Sequence, residues 1–187
     1  MKKLALLIAL ALQIAVCACG TSPNTNPVNN TTTNGNWEAV LTGGTEQAAL
    51  LNFVITFSVE NNGPLDITAF GFFNQGACFA NGLNVQTYSG TANFTTGNAG
   101  TVNGTLDLTI NSTTNSSVLT LSGQLTGTSN ATSTTTGTLS NGVVVGTWTL
   151  SPGASSPGCN QGSGSFVMCQ GAATCSTTPA IARRTDF

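Results

Sequence analysis

The chain has 187 residues, only 5% of them charged, with four Lys and Arg against six Asp and Glu and no His. So few cations cannot neutralise a phosphate backbone, which excludes nucleic-acid binding, and without His no imidazole-based triad or metal site can be built from this chain. The 40% apolar content, set in clear alternation, points to a folded domain, since disordered chains carry more charge and fewer branched apolar residues.

The first segment opens Met1-Lys2-Lys3 and then runs apolar from Leu4 to Val16, interrupted by Gln13. A basic start followed by an apolar stretch of about 7–15 residues describes a secretory signal peptide; it is too short to span a hydrocarbon core, which needs roughly 20 residues. Val16-Cys17-Ala18-Cys19 resembles the lipobox of bacterial lipoproteins: an aliphatic residue, a variable one, a small one, then the cysteine that is acylated. The resemblance implies removal of residues 1–18 and lipidation of Cys19, with palmitate among the chains. Two or more acyl chains anchor stably, because each buried methylene contributes about 0.8 kcal/mol. Gly20 stands where such lipoproteins often carry the Asp of inner-membrane retention, which implies the outer membrane. From Cys19 to Gly35 the Thr/Pro/Asn-rich sequence shows no apolar period and reads as a flexible tether.

From Asn36 to about residue 176 the period is two, which reads as one β domain. Trp37 opens the first strand. Phe53, Ile55, Phe57 and Val59 alternate with polar or smaller residues, Asn61 to Pro64 reads as a turn, and Leu65, Ile67 and Ala69 lead into Phe70, Phe72 and Phe73. Further strands are expected at Val85 to Tyr88, Thr91 to Thr95, Leu106 to Ile110 and Leu119 to Leu125. A hairpin turning at Asn141-Gly142 is expected to join Val143–Val145 and Trp148–Leu150, with a last strand at Ser165 to Cys169. Glycines recur inside or at the start of these strands, at Gly90, Gly104, Gly123, Gly137 and Gly146, at irregular spacing. Interior glycines mark bends and bulges. They suit a strongly curved sheet, so the expected fold is all-β: an antiparallel up-and-down meander of about 8–10 strands, a barrel in preference to a β-sandwich. Residues 177–187 read as a C-terminal tail, because Arg183, Arg184 and Asp186 spoil the alternation with which a membrane barrel would end at Phe187.

Setting aside Cys17 and Cys19, four cysteines remain: Cys78, Cys159, Cys169 and Cys175. An even number in an exported chain reads as disulfides. Of the three pairings, Cys78–Cys159 with Cys169–Cys175 is expected. The latter closes a tight loop at the end of the last strand, and the former ties the strand after the phenylalanine cluster to the loop before that strand. In the loop-entropy model the long bridge contributes roughly 4–5 kcal/mol and the short one about 2–3. The spacings lack the close pairs of a zinc ribbon, and no phosphate loop or calcium loop is present, so no cofactor or metal is expected.

The remaining catalytic design is a pair of carboxylates, with Glu38, Glu46, Glu60, Asp66 and Asp107 as candidates. Glu60 and Asp66 flank the expected turn, while Asp107 faces away from the apolar side of its strand; all read first as solubility charges, so no enzyme is expected. Gly35-Asn36-Trp37 is similar to the Gly-x-Trp motif of lipocalins, whose Trp plugs one end of an eight-stranded barrel with an Arg packed across it. The Arg is missing here before Arg183. Trp37, with Trp148, Phe70, Phe72, Phe73 and Phe94, reads first as core; the lipocalin resemblance implies an apolar ligand instead, should the barrel be hollow. The arrangement of signal, lipobox, tether and Gly/Thr-rich meander with late cysteines is similar to β-rich bacterial envelope lipoproteins. The reading is a membrane-anchored envelope lipoprotein with a non-enzymatic structural or interaction role, its partners the membrane and an envelope protein or small apolar ligand. A lipocalin-like binder and a surface adhesin are the alternatives.

Overall fold

Threonine, serine and asparagine alternate with branched and aromatic side chains, so each extended segment offers one hydroxyl face and one apolar face, and burying the apolar faces together curls the sheet on itself. The computed structural model describes residues 31–33, 35–43, 48–60, 62–74, 76–80, 83–97, 99–131, 137–154, 156–171 and 175; the signal segment, Cys19, Glu46 and the tail with Arg183 and Arg184 lie outside them. The strands are β1 (Thr31–Thr33), β2 (Asn36–Gly43), β3 (Phe53–Glu60), β4 (Asn62–Pro64), β5 (Asp66–Phe72), β6 (Gln86–Thr96), β7 (Thr101–Ser112), β8 (Val118–Ser129), β9 (Gly137–Ser151) and β10 (Gly162–Gln170). Short 3-10 turns at Ala48–Leu51 and Leu83–Val85 are the only helical pieces among the described residues.

Neighbours in sequence pair antiparallel from β6 through β10, and β10 pairs back to β2, which pairs with β3. The circuit is completed by β4 and β5, which follow one another as a single bent strand: β4 pairs with β6, and β5 with β3. The result is a nearly closed, barrel-shaped antiparallel sheet, so the barrel rather than the sandwich is what the chain forms. Its interior holds Trp37, Trp148, Phe53, Phe57, Phe94 and Phe166, each under 2% exposed. Burying a side chain of this size contributes about 1.5–3 kcal/mol. Trp37 stacks on Phe57 with ring centroids 5.3 Å apart, and Trp148 Nε1 donates to Thr42 O at 3.0 Å.

Five expectations are corrected. Asn62 to Pro64 is a strand paired with β6 and not a turn; Asn62 Oδ1 accepts from Phe94 N at 2.6 Å, which pins the chain to β6. Asn141-Gly142 makes no hairpin. β9 runs unbroken past it, and two of its residues oppose Gly127 alone between the pairs Thr126↔Val143 and Thr128↔Ser140. This is a β-bulge, with Asn141 at φ 53° and Gly142 lying against the Trp37 ring, where a Cβ would collide. The bulge shifts the phase, so Val144 is buried and Val145 is 53% exposed. The segments expected at Val85–Tyr88 and Thr91–Thr95 are one strand, β6. The expected tether ends early, because Thr31 to Thr33 forms β1, antiparallel to β3 and parallel to β9. Finally, Phe73 is 47% exposed and does not belong to the core.

The interior glycines permit close approach of neighbouring strands. Gly123 and Gly146 lie opposite one another, and a Cβ on Gly123 would come within 2.8 Å of both Val144 Cγ1 and Val145 O, and 3.0 Å of Phe166 Cζ. Curvature at this point requires both positions to lack a side chain.

Candidate functional site

An up-and-down barrel collects its connections at two ends. At one end lie the β2–β3, β5–β6, β7–β8 and β9–β10 connections, and these are bound to one another. The Cys78–Cys159 disulfide joins the second to the fourth, with Cα atoms 4.9 Å apart. Asn115, in the β7–β8 turn, donates through Nδ2 to Ala77 O at 3.2 Å and Cys78 O at 3.1 Å, while its Oδ1 accepts from Ser117 N at 3.0 Å. Buried Ser117 shares a hydrogen bond with Ser156 at 3.1 Å and accepts from Gly153 N at 3.1 Å. Each polar group taken from water here is thus matched, as burial demands, and separate loops become one platform.

Among the described residues, two of the three exposed large apolar side chains belong to this end: Phe73 at 47% and Leu50 at 39%. Phe73 N donates to Asn52 O at 2.9 Å, and Leu50 Cβ lies 3.7 Å from where a Cβ on Gly76 would stand. Beneath them Phe72 packs on buried Phe79 at 5.1 Å. The platform is therefore packed below and held by a covalent bridge, with Phe73 and Leu50 exposed among polar residues such as Asn74, Thr113 and Asn160. Phe73 carried a legible signal, since it follows Phe72 directly and falls out of the period that buries Phe70 and Phe72. Leu50 had none, because a 3-10 turn is not announced by a period of two.

The second bridge, Cys169–Cys175, lies on the outer face of β10, and Cys175 Sγ approaches Glu38 O at 3.9 Å. The carboxylates are dispersed. In register, Glu38 lies opposite Cys169 and Val54, Asp66 opposite Ser58, and Asp107 opposite Thr91 and Ser122. Glu60 lies opposite Thr32 in the β1–β3 ladder. Among the described residues no three His, Cys, Asp or Glu converge as metal ligands.

The outer face of the barrel is built of hydroxyls. Thr91, Asp107, Ser122, Thr147, Ser165 and Thr42 form one exposed row in register across β6 to β10 and β2. Neighbours within this row and the adjacent one bond to each other, as in Thr42–Ser165 at 2.9 Å and Thr120–Thr149 at 2.6 Å. An apolar interior with a hydroxyl exterior is the inverse of a membrane-spanning barrel. No helix among the described residues is long and apolar enough to cross a membrane. A groove of about 360 Å³ also lies on the outer face, over β2, β3 and β5, lined by Asn36, Val54, Thr56, Ala69 and Gly71. Its lining holds no acid or base.

At the opposite end, Trp37 is 1% exposed and its Nε1 has no hydrogen-bond partner among the described residues. Phe57 occupies the position across its ring that the lipocalin resemblance would give to an Arg. Tyr88 stands where the barrel closure is thinnest. Beyond the bond from Leu65 N to Gly90 O, β5 and β6 share no ladder, and contact between the Phe70 and Tyr88 rings, 4.9 Å apart, bridges them. Burial there pushes the Tyr88 phenol from 10.0 up to about 12. No protein-family model, characterised protein or solved structure gives a significant match to the chain.

Proposed function

We propose that the protein is exported, acylated at Cys19 and held at the cell envelope as a non-enzymatic interaction module whose loop platform meets its partner. The observation that carries the reading is the lipobox Val16-Cys17-Ala18-Cys19 standing ahead of a domain closed by two disulfides. Such bridges persist in oxidising compartments. Gly20 in place of Asp supports the outer membrane. The large side chains that occupy the barrel interior argue against a carrier with an apolar cup, which would need several hundred Å³ of open space. Exposed Phe73 and Leu50 on a rigid base support a contact surface, since aromatic anchors on preorganised elements dominate interfaces.

Labelled palmitate and intact-mass spectrometry on protein from its host membrane test this. The expected product begins at an acylated Cys19 and carries both bridges, and Cys19→Ser leaves the membrane fraction. An unacylated chain, or a Cys19→Ser protein just as firmly bound, overturns the reading. A second reading, a surface adhesin, draws on the hydroxyl rows of the outer face. Cells coated with the protein should then adhere to surfaces that uncoated cells do not, and Thr120→Val with Thr149→Val should abolish the gain.

A further inference from the structure

We infer that the barrel stands on the lipid surface by its Trp37 end, with the Cys78–Cys159 platform pointing away from the membrane. This rests on acylation at Cys19, but its own argument is topological. β3 runs from Phe53 at the platform end to Glu60 at the Trp37 end. β1 is antiparallel to it, with Thr32 opposite Glu60 and Thr33 opposite Val59. β1 also runs parallel to β9, with Thr31 opposite Gly137, the first residue of that strand. Both ladders make Thr31 the outermost residue of β1, so the chain N-terminal to it leaves at the Trp37 end. That exit is locked on two sides by backbone pairing and is part of the fold.

Length then limits what the anchor permits. Thr31 lies 12 positions after Cys19 (31 − 19); at ~3.3–3.6 Å each these steps span at most about 43 Å. β7 and β8 have 12 residues each. At ~3.3 Å per residue and a tilt of ~40°, the barrel is roughly 30 Å tall. For the platform to touch the lipid, the connecting chain would have to run the full height of the barrel at roughly three-quarters of its greatest length, with a loss of chain entropy. The Trp37 end needs no such extension. Its described connections are also free of charge: Gly97, Ala99 and Gly100 between β6 and β7, and Asn130 and Ala131 after β8. Glu60, the last residue of β3, places an acid at this end, a weak repulsion from anionic headgroups that the acyl anchor has to outweigh. Phe73 and Leu50 are thereby presented to whatever lies across from the membrane.

The full-length acylated protein, reconstituted in vesicles of phosphatidylethanolamine and phosphatidylglycerol with an acceptor dye on the headgroups, tests this. Donor dyes go on Ala99→Cys at one end and Ala154→Cys at the other, both exposed turn positions, with the two disulfides verified by mass. Energy transfer from the Ala99 site is expected to exceed that from the Ala154 site by about twofold or more, given roughly 30 Å of separation. Equal transfer from the two sites, or stronger transfer from Ala154, overturns the orientation. Mass spectrometry of the same sample keeps the two ideas apart. An acylated protein with equal transfer sinks the orientation alone, whereas a chain without acyl groups sinks the lipoprotein reading and the orientation with it.

Discussion

Tyr88 is the only tyrosine in the chain, so its ionisation can be followed by phenolate absorbance without interference. Its phenol donates to Gln86 Oε1 at 3.1 Å and its ring lies on Phe70; loss of hydration penalises the phenolate and raises its value from 10.0 to about 12. Between those two values the unfolded chain has released its proton while the folded chain has not. The unfolded state then binds fewer protons, so stability must fall as pH rises through this window. Below the lower value Tyr88 makes no pH-dependent contribution. The absorbance midpoint of the folded protein is expected near 12, moving to about 10 in denaturant, and Tyr88→Phe should remove this part of the alkaline loss. A folded midpoint at 10 would show that water reaches the phenol and that the seam beside it is open.

That seam is a property of elements. β7 and β8 are paired along both edges, whereas β5 from Asp66 to Phe72 is paired only with β3, and β6 from Gln86 to Ser89 only with β7. Backbone amides that face the gap lack the ladder that protects the others, and local opening costs least where pairing is one-sided. Hydrogen exchange should therefore be roughly a hundredfold faster at alternate amides of β5 and of the first turn-proximal residues of β6 than in β7 and β8; uniform protection would mean that the sheet closes fully. The same elements show what the sequence made legible. β3, β7 and β8 have an undisturbed period of two and could be read directly. β5 could not, because the ladder slips between Thr56 and Phe57, so Leu65 and Ile67 belong to one phase and Phe70 and Phe72 to the other. Asn141-Gly142 misled for a related reason. A two-residue hairpin turn and this bulge both place a residue at positive φ, here Asn141, and only the partner strand, β8, continuing to Ser129, decides between them.

For the whole molecule, the platform was legible only through its cysteines. Leu50, Phe73, Asn115 and Ser156 meet because the barrel brings four distant connections to one end, and no local pattern encodes that meeting. Long-range assembly also sets the value of the two bridges. Cys78–Cys159 closes a separation of 81 residues and Cys169–Cys175 one of 6, so the unfolded chain loses far more freedom to the first. Replacing Cys78 and Cys159 by serine should cost roughly 4–5 kcal/mol, and replacing Cys169 and Cys175 about 2–3, measured by denaturant unfolding. The first loss should concentrate at the platform. Asn115 holds Ala77 and Cys78 by their carbonyls, and without the covalent tie those two bonds, with the two from Thr113 to Val85 O at the far end of the connection, must hold the β5–β6 connection near the β7–β8 turn. Exchange should then rise in residues 76–80 and 152–160 while β7 and β8 remain protected. If the short bridge proved the costlier to remove, the stability of the barrel would reside at the outer face of β10, and the platform would lose its claim to be the rigid end.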